Sequence, residues 1–143
     1  MAVTATVANK FKYLLATKQI DFANDTFKCC LMGTSFSFDV DADHYYSDIS
    51  SDELATGYGY TAGGQTLTGV TVTENDSADR CDVAWNNPTW TASGGSIGAT
   101  AGAIIYDDTV DNDPIVGYID FGGSQTASTG ESFLISTVAF RLT

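Results

Sequence analysis

From Thr26 to the end of the chain the apolar residues fall in short runs or in alternation, rich in Val, Ile, Thr, Tyr, Phe and Trp and broken by Gly, Asn, Asp and Ser. Gly69-Val70-Thr71-Val72-Thr73 and Cys81-Asp82-Val83-Ala84-Trp85 show the period of two that sends one face inward and the other to water. Strands are predicted at Thr26 to Met32, Gly69 to Thr73, Cys81 to Trp85, Thr89 to Ala92, Ala101 to Tyr106, Ile115 to Phe121, Ser132 to Ser136 and Val138 to Leu142. Ala101 to Tyr106 and Ile115 to Ile119 are apolar throughout, which places them at the centre of a sheet covered on both sides. No helical segments lie between these strands to carry parallel crossovers. The expected fold is mainly β: an antiparallel β-sandwich, jelly-roll-like, with one short N-terminal helix.

That helix is predicted over Asn9 to Ile20, because Phe11, Leu14, Leu15 and the stem of Lys18 follow the i, i+3, i+4, i+7 spacing. Asn9 is placed to cap its start, and Asp21 to Asp25 supplies turn residues before the first strand. The chain then reads as a lead-in with a docking segment over residues 1–25 and a β-sandwich over residues 26–143. Gly33 to Tyr60 shows no clean period and reads as a long ordered loop with a helical turn near Ser51 to Leu54, capped by Ser50 or Ser51. The tracts Ala62 to Gln65 and Ser93 to Gly98 read as loops at sheet ends.

A chain of 143 residues with 43% apolar content is one domain with a real core. Its net charge of −12 repels phosphate backbones, which argues against nucleic acid as a partner. Neither a membrane span nor a leader for export is expected from the sequence, since no apolar run is long enough. Four of its six basic residues, Lys10, Lys12, Lys18 and Lys28, fall within the first 28 positions. This local excess reads as a solvated helix face or, more sharply, as an element that docks on an acidic surface.

The acidic clusters offer no complete metal site by spacing. Asp39-Val40-Asp41-Ala42-Asp43 begins like an oxygen-ligand calcium loop, but His44 and Ser50 stand where the glycine and the bidentate glutamate belong. Asp107, Asp108, Asp111 and Asp113 lie on a hairpin loop with nothing to fix a turn around an ion. No metal and no cofactor are expected. Catalysis has little to build on, with His44 the single histidine and no nucleophile elbow in the sequence, so the chain reads as no enzyme. Cys29, Cys30 and Cys81 leave at least one thiol unpaired; the reading is reduced thiols, with one of Cys29 and Cys30 inward, the other outward, and Cys81 able to lie opposite either if the strands pair. Tyr45, Tyr46, Tyr58 and Tyr60 offer aromatic area with a polar tip for a protein or a sugar, with core and loop anchoring expected for at least half of them. The candidate partner-binding residues are Lys10, Lys12, Lys18, Tyr58 and Tyr60.

Longer stretches of the sequence are informative as words: Asn9-Lys10-Phe11-Lys12-Tyr13-Leu14-Leu15-Ala16 with Ile20-Asp21-Phe22, Glu53 through Gly64, Trp85-Asn86-Asn87-Pro88-Thr89-Trp90, Gly102-Ala103-Ile104-Ile105-Tyr106 and Val116 through Gly122. In these, over nearly its whole length, the chain resembles a group of short virion structural proteins of tailed bacteriophages. The resemblance implies a non-enzymatic capsid decoration, or cement, protein made in the host cytoplasm and carried on the virion. It would bind the major capsid protein and self-associate, as a trimer at the local symmetry of capsid junctions. A tail-tip or fibre-associated module that binds host-surface carbohydrate is the alternative. The resemblance brings no catalytic or ligand-binding residues with it.

Overall fold

The computed structural model describes residues 4–143. It is mainly β, with antiparallel pairing throughout its three sheets. In chain order the elements are β1 (Thr4–Val7), α1 (Asn9–Ala16), β2 (Phe27–Gly33), α2 (Tyr46–Ile49) with a 3₁₀ turn at Ser50–Asp52, β3 (Gln65–Thr66) and β4 (Thr71–Asn75). There follow β5 (Arg80–Trp85), β6 (Thr89–Thr91), β7 (Ile97–Asp107), β8 (Ile115–Ala127), β9 (Ser132–Leu134) and β10 (Val138–Leu142). The main sheet has the order β1-β8-β7-β2-β3, a second sheet has β10-β5-β4, and β6 pairs with β9 in a two-stranded ribbon.

The uniformly apolar strands β7 and β8 sit at the centre of the main sheet with β2, as their composition requires. Across the β2–β7 and β7–β8 ladders, register places Phe27, Cys29, Leu31, Ala103, Ile105 and Ile119 on one face, and Cys30, Ile104 and Tyr118 on the other. The first face meets the second sheet. There Phe27 packs on Phe22 and Trp85 at ring separations of 5.3 Å each, and Trp85 reaches Phe140. The second face is roofed by the long connection after β2, whose Phe36 and Phe38 lie against Tyr118 at 5.3 and 5.7 Å. Cys29, Cys30, Leu31 and Met32 are consequently all fully buried, both faces of β2 being covered.

The N-terminal elements share this core. β1 pairs with β8 from Thr4↔Asp120 to Val7↔Gly117, and α1 buries Phe11 and Leu14, with Phe11 against Phe22 at 5.6 Å. The helix is shorter than the sequence predicts. Lys18 adopts a left-handed φ of 61°, and the Lys18 and Gln19 amides bond back to the Leu15 and Leu14 carbonyls, the hydrogen-bond pattern that ends a helix. Lys18 thus lies beyond α1 and is exposed rather than part of its apolar stripe. Asn9 does not cap α1 either: it is the first helical residue, and its side-chain amide donates to Asp41 instead.

Three elements go beyond those predicted. β1 and β3 are too short for their alternation to register, and α2 at Tyr46–Ile49 precedes the turn expected near Ser51 to Leu54, which is present as the 3₁₀ turn at Ser50–Asp52. The cap of α2 is Tyr45 with Asp48 rather than Ser50 or Ser51, the Asp48 carboxylate accepting from the Tyr45 amide at 2.9 Å. β4 is displaced by two residues toward the acidic turn, and β7 and β8 extend as a long hairpin to Ile97 and Ala127.

The two layers approach closely at Gly117 in β8. A Cβ there would strike the Thr6 carbonyl and stand 2.6 Å from the Phe140 ring of the facing sheet. Gly117→Ala should therefore lower stability by about 1–3 kcal/mol through overpacking, read from the urea midpoint at unchanged m-value.

Candidate functional site

The densest polar arrangement in the molecule lies where the long connection covers the outer edge of β2. Beyond Cys29, β3 no longer pairs with that edge, so the Leu31 backbone needs other partners. The Leu31 amide donates to the Tyr60 hydroxyl at 2.9 Å, and the Leu31 carbonyl accepts from the Leu54 amide at 2.9 Å. Tyr60 in turn donates to Glu53 Oε1 at 2.5 Å, Tyr46 donates to Glu53 Oε2 at 2.5 Å, and the Gly63 amide gives Oε1 a further bond at 2.7 Å. Tyr106 of β7 stacks on Tyr46 at 4.7 Å and donates its hydroxyl to the Gly63 carbonyl.

Electrostatics follow from this geometry. Burial and then the hydrogen bond to Glu53 raise the Tyr46 and Tyr60 phenols above their ordinary range, so both remain neutral donors. Burial first, and the Glu53 charge next, raise the Cys30 thiol; burial alone raises that of Cys29. None of these groups is poised as a base or nucleophile near neutral pH. The cluster holds the loop to the sheet.

The residues singled out from sequence are dispersed. Lys10 lies 4.9 Å over the Tyr13 ring on α1, Lys12 is exposed on the same helix, and Lys18 follows its C-terminus, so the three lysines share one N-terminal segment, with Lys10 and Lys12 on different sides of the helix. Tyr58 stands 58% exposed, in a left-handed conformation over Gly95, where a Cβ would collide with its ring. Tyr60 is only 2% exposed, which withdraws it from any partner surface, because its hydroxyl is needed by Leu31 and Glu53. Tyr45 and Tyr46 are likewise part-buried anchors. Sequence reasoning passed over Glu53; the one available signal was a lone glutamate among the tyrosines of an aperiodic loop.

Asp39 and Asp43 are engaged with their own turn, Asp39 Oδ1 accepting from the Asp41 and Ala42 amides and Asp43 Oδ2 from the Asp39 amide. His44 Nε2 is bonded to the Asp41 carbonyl at 2.7 Å. Among the described residues no three His, Cys, Asp or Glu side chains converge as metal ligands. A cleft of about 670 Å³ runs between the far end of β8 and β9, with Phe121, Phe133 and Ile135 among its walls. The carboxylate of Glu131 in its wall accepts from the Ser128 amide at 2.8 Å.

The thiols differ from expectation. Cys29 and Cys30 are both buried rather than one inward and one outward, and Cys81 lies on β5 in the other sheet, where its neighbours are Glu74 and Leu142. β2 and β5 belong to different sheets and do not pair, so Cys81 does not lie opposite Cys29 or Cys30 across a ladder, and all three thiols are free.

Comparison with family models, with curated proteins and with solved structures returns no match.

Two outcomes follow from the site. Glu53→Gln, which cannot accept from two phenols and an amide together, should cost about 1–3 kcal/mol in denaturant unfolding, and Glu53→Ala more. A thiol reagent such as Ellman's should titrate Cys81 in the native protein and reach Cys29 and Cys30 only after unfolding, as mass spectrometry of the labelled peptides would show.

Proposed function

We propose that the protein is a non-enzymatic virion structural protein of a tailed bacteriophage, a decoration protein that binds the major capsid protein and reinforces the head. The observation that carries the reading is how the polar groups are used. Glu53, the buried tyrosines and the acidic turns are engaged within the fold, leaving a rigid block whose outward features are contact surfaces. One of these is the basic N-terminal segment that carries Lys10, Lys12 and Lys18, on a chain that is otherwise acidic. It suits an acidic patch on a capsid lattice, with trimers at the local three-fold positions. The resemblance of the sequence to such virion proteins supports the same reading.

The exposed ring of Tyr58 favours a second reading, a tail-associated module that stacks host-surface sugars on that ring. Copy number separates the two. Quantitative mass spectrometry of purified particles should find on the order of hundreds of copies for a decoration role that follows capsid symmetry; a few dozen or fewer would favour the tail. The triple variant Lys10→Glu, Lys12→Glu, Lys18→Glu should lose most particle binding at low salt while its melting midpoint stays within a degree or two of the parent, these side chains lying at the surface. Salt-independent binding by the variant would remove α1 as the docking element.

A further inference from the structure

Asp107 closes β7 opposite Phe27 and is fully buried. Its Oδ1 accepts from the Thr109 amide at 2.8 Å and the Val110 amide at 3.3 Å, which turns the chain into the loop before β8. Its Oδ2 is also buried and accepts from no N–H or hydroxyl. The neighbouring group is the carboxyl of Asp25, whose Oδ2 takes the Asp21 amide at 2.7 Å. The backbone brings these two acids together from distant parts of the chain: the Thr26 amide donates to Thr109 Oγ1 at 2.7 Å, and the Asp108 amide donates to the Thr26 carbonyl at 2.8 Å.

Two carboxylates side by side, one wholly buried, need something positive between them. The surrounding groups do not supply it. Lys28 of β2 is paired with Asp108 at 3.4 Å; Asp21 is held by its own turn through the Ala23 amide and Asn24; Asp111 is exposed; and Asp113 is a further acid whose carboxyl burial, then Asp108, raises against the pull of Lys28. No cation is among the groups that act most strongly on Asp107. No three acids converge here in a metal-binding arrangement among the described residues. A proton meets the need with the two oxygens already present: the Asp107 carboxyl donates its O–H to the Asp25 carboxylate.

We propose that Asp25 and Asp107 share one proton, and that this shared proton is a latch joining the turn after α1 to the β7–β8 loop, which opens as pH rises through neutrality. Burial, and then the hydrogen bond and charge of Asp25, push the Asp107 carboxyl up to about 7 against the opposing bonds from Thr109 and Val110. A carboxyl whose folded value lies above its unfolded one contributes stability at low pH and loses it as pH climbs through the folded value. Opening sets free the turn at Asp21 to Asp25, while Asp107 keeps its bonds to Thr109 and Val110.

The test is the melting midpoint of the full chain at steps from about pH 6 to about pH 8, for the parent, Asp107→Asn and Asp25→Asn. The parent should lose several degrees across the interval. Asp107→Asn, whose amide donates to Asp25 as the protonated acid does, should hold a flat profile and be the most stable of the three at the alkaline end. Asp25→Asn, which removes the opposing charge and can donate to Asp107, should shift the decline to lower pH and serves where the first variant fails to fold. Hydrogen exchange corrected for intrinsic rates should show the Thr26 and Asp108 amides opening over the same interval in the parent only. A flat parent profile, or one shared unchanged by both variants, overturns the latch. So does a rise in the parent's alkaline melting midpoint on adding calcium that both variants abolish, which would make the pair a cation site.

Discussion

The structure depends on burying both faces of its central strands, and the half-buried carboxylate of Glu53 is one place where that requirement is met with a charged group. Once β2 lies between β7 and the short β3, its outer edge runs out of strand partners at Leu31, in a place water does not reach. The Tyr60 hydroxyl completes that edge, and a hydroxyl that accepts from Leu31 is oriented by donating to Glu53. Glu53 then gathers Tyr46 and the Gly63 amide, and Tyr46 stacks on Tyr106 of the neighbouring strand. The carboxylate is tolerable because each bond to it is charge-assisted, and removing one donor leaves the remaining groups mismatched.

The same constraint organises the rest. Covering the second face of the main sheet takes the whole connection from Gly33 to Gly64, which explains why so long a loop is ordered. Phe36 and Phe38 seat one end on Tyr118, and Tyr60 touches Trp90 of the ribbon at the other. From Trp90 the rings continue through Phe133 to Phe121, so the ribbon is fastened to the far end of β8 by aromatic contacts. On the first face Phe27 and Trp85 bind the second sheet, and the absent side chain at Gly117 lets Phe140 approach. With its polar interior engaged, the molecule turns outward mainly short strands, acidic turns and the lysines of α1, the features on which the proposed role in assembly rests.

Much of this architecture was legible in the residues themselves. Period-two alternation marked β5 and, two residues off, β4, uniform apolarity marked β7 and β8 as central, and Phe11 and Leu14 marked the buried side of α1, because pattern and burial obey the same local geometry. Other readings needed information that local sequence does not contain. Cys29 and Cys30 alternate faces as the strand geometry requires, yet both are buried, since a loop covers the second face. Tyr58 and Tyr60 look equivalent in sequence; one stands over Gly95 in the open and the other sits beneath the loop, a difference set by where β2 ends its pairing. The sequence by itself therefore determined the antiparallel β class, the placement of most strands and the basic N-terminal end, all consequences of period and composition. Tertiary structure alone decided that Glu53 is the centre of the polar network, that Cys81 lies in a different sheet from Cys29 and Cys30, and that Asp25 meets Asp107. Each of these rests on segments far apart in the chain, brought together by sheet order and by the layers packed across it.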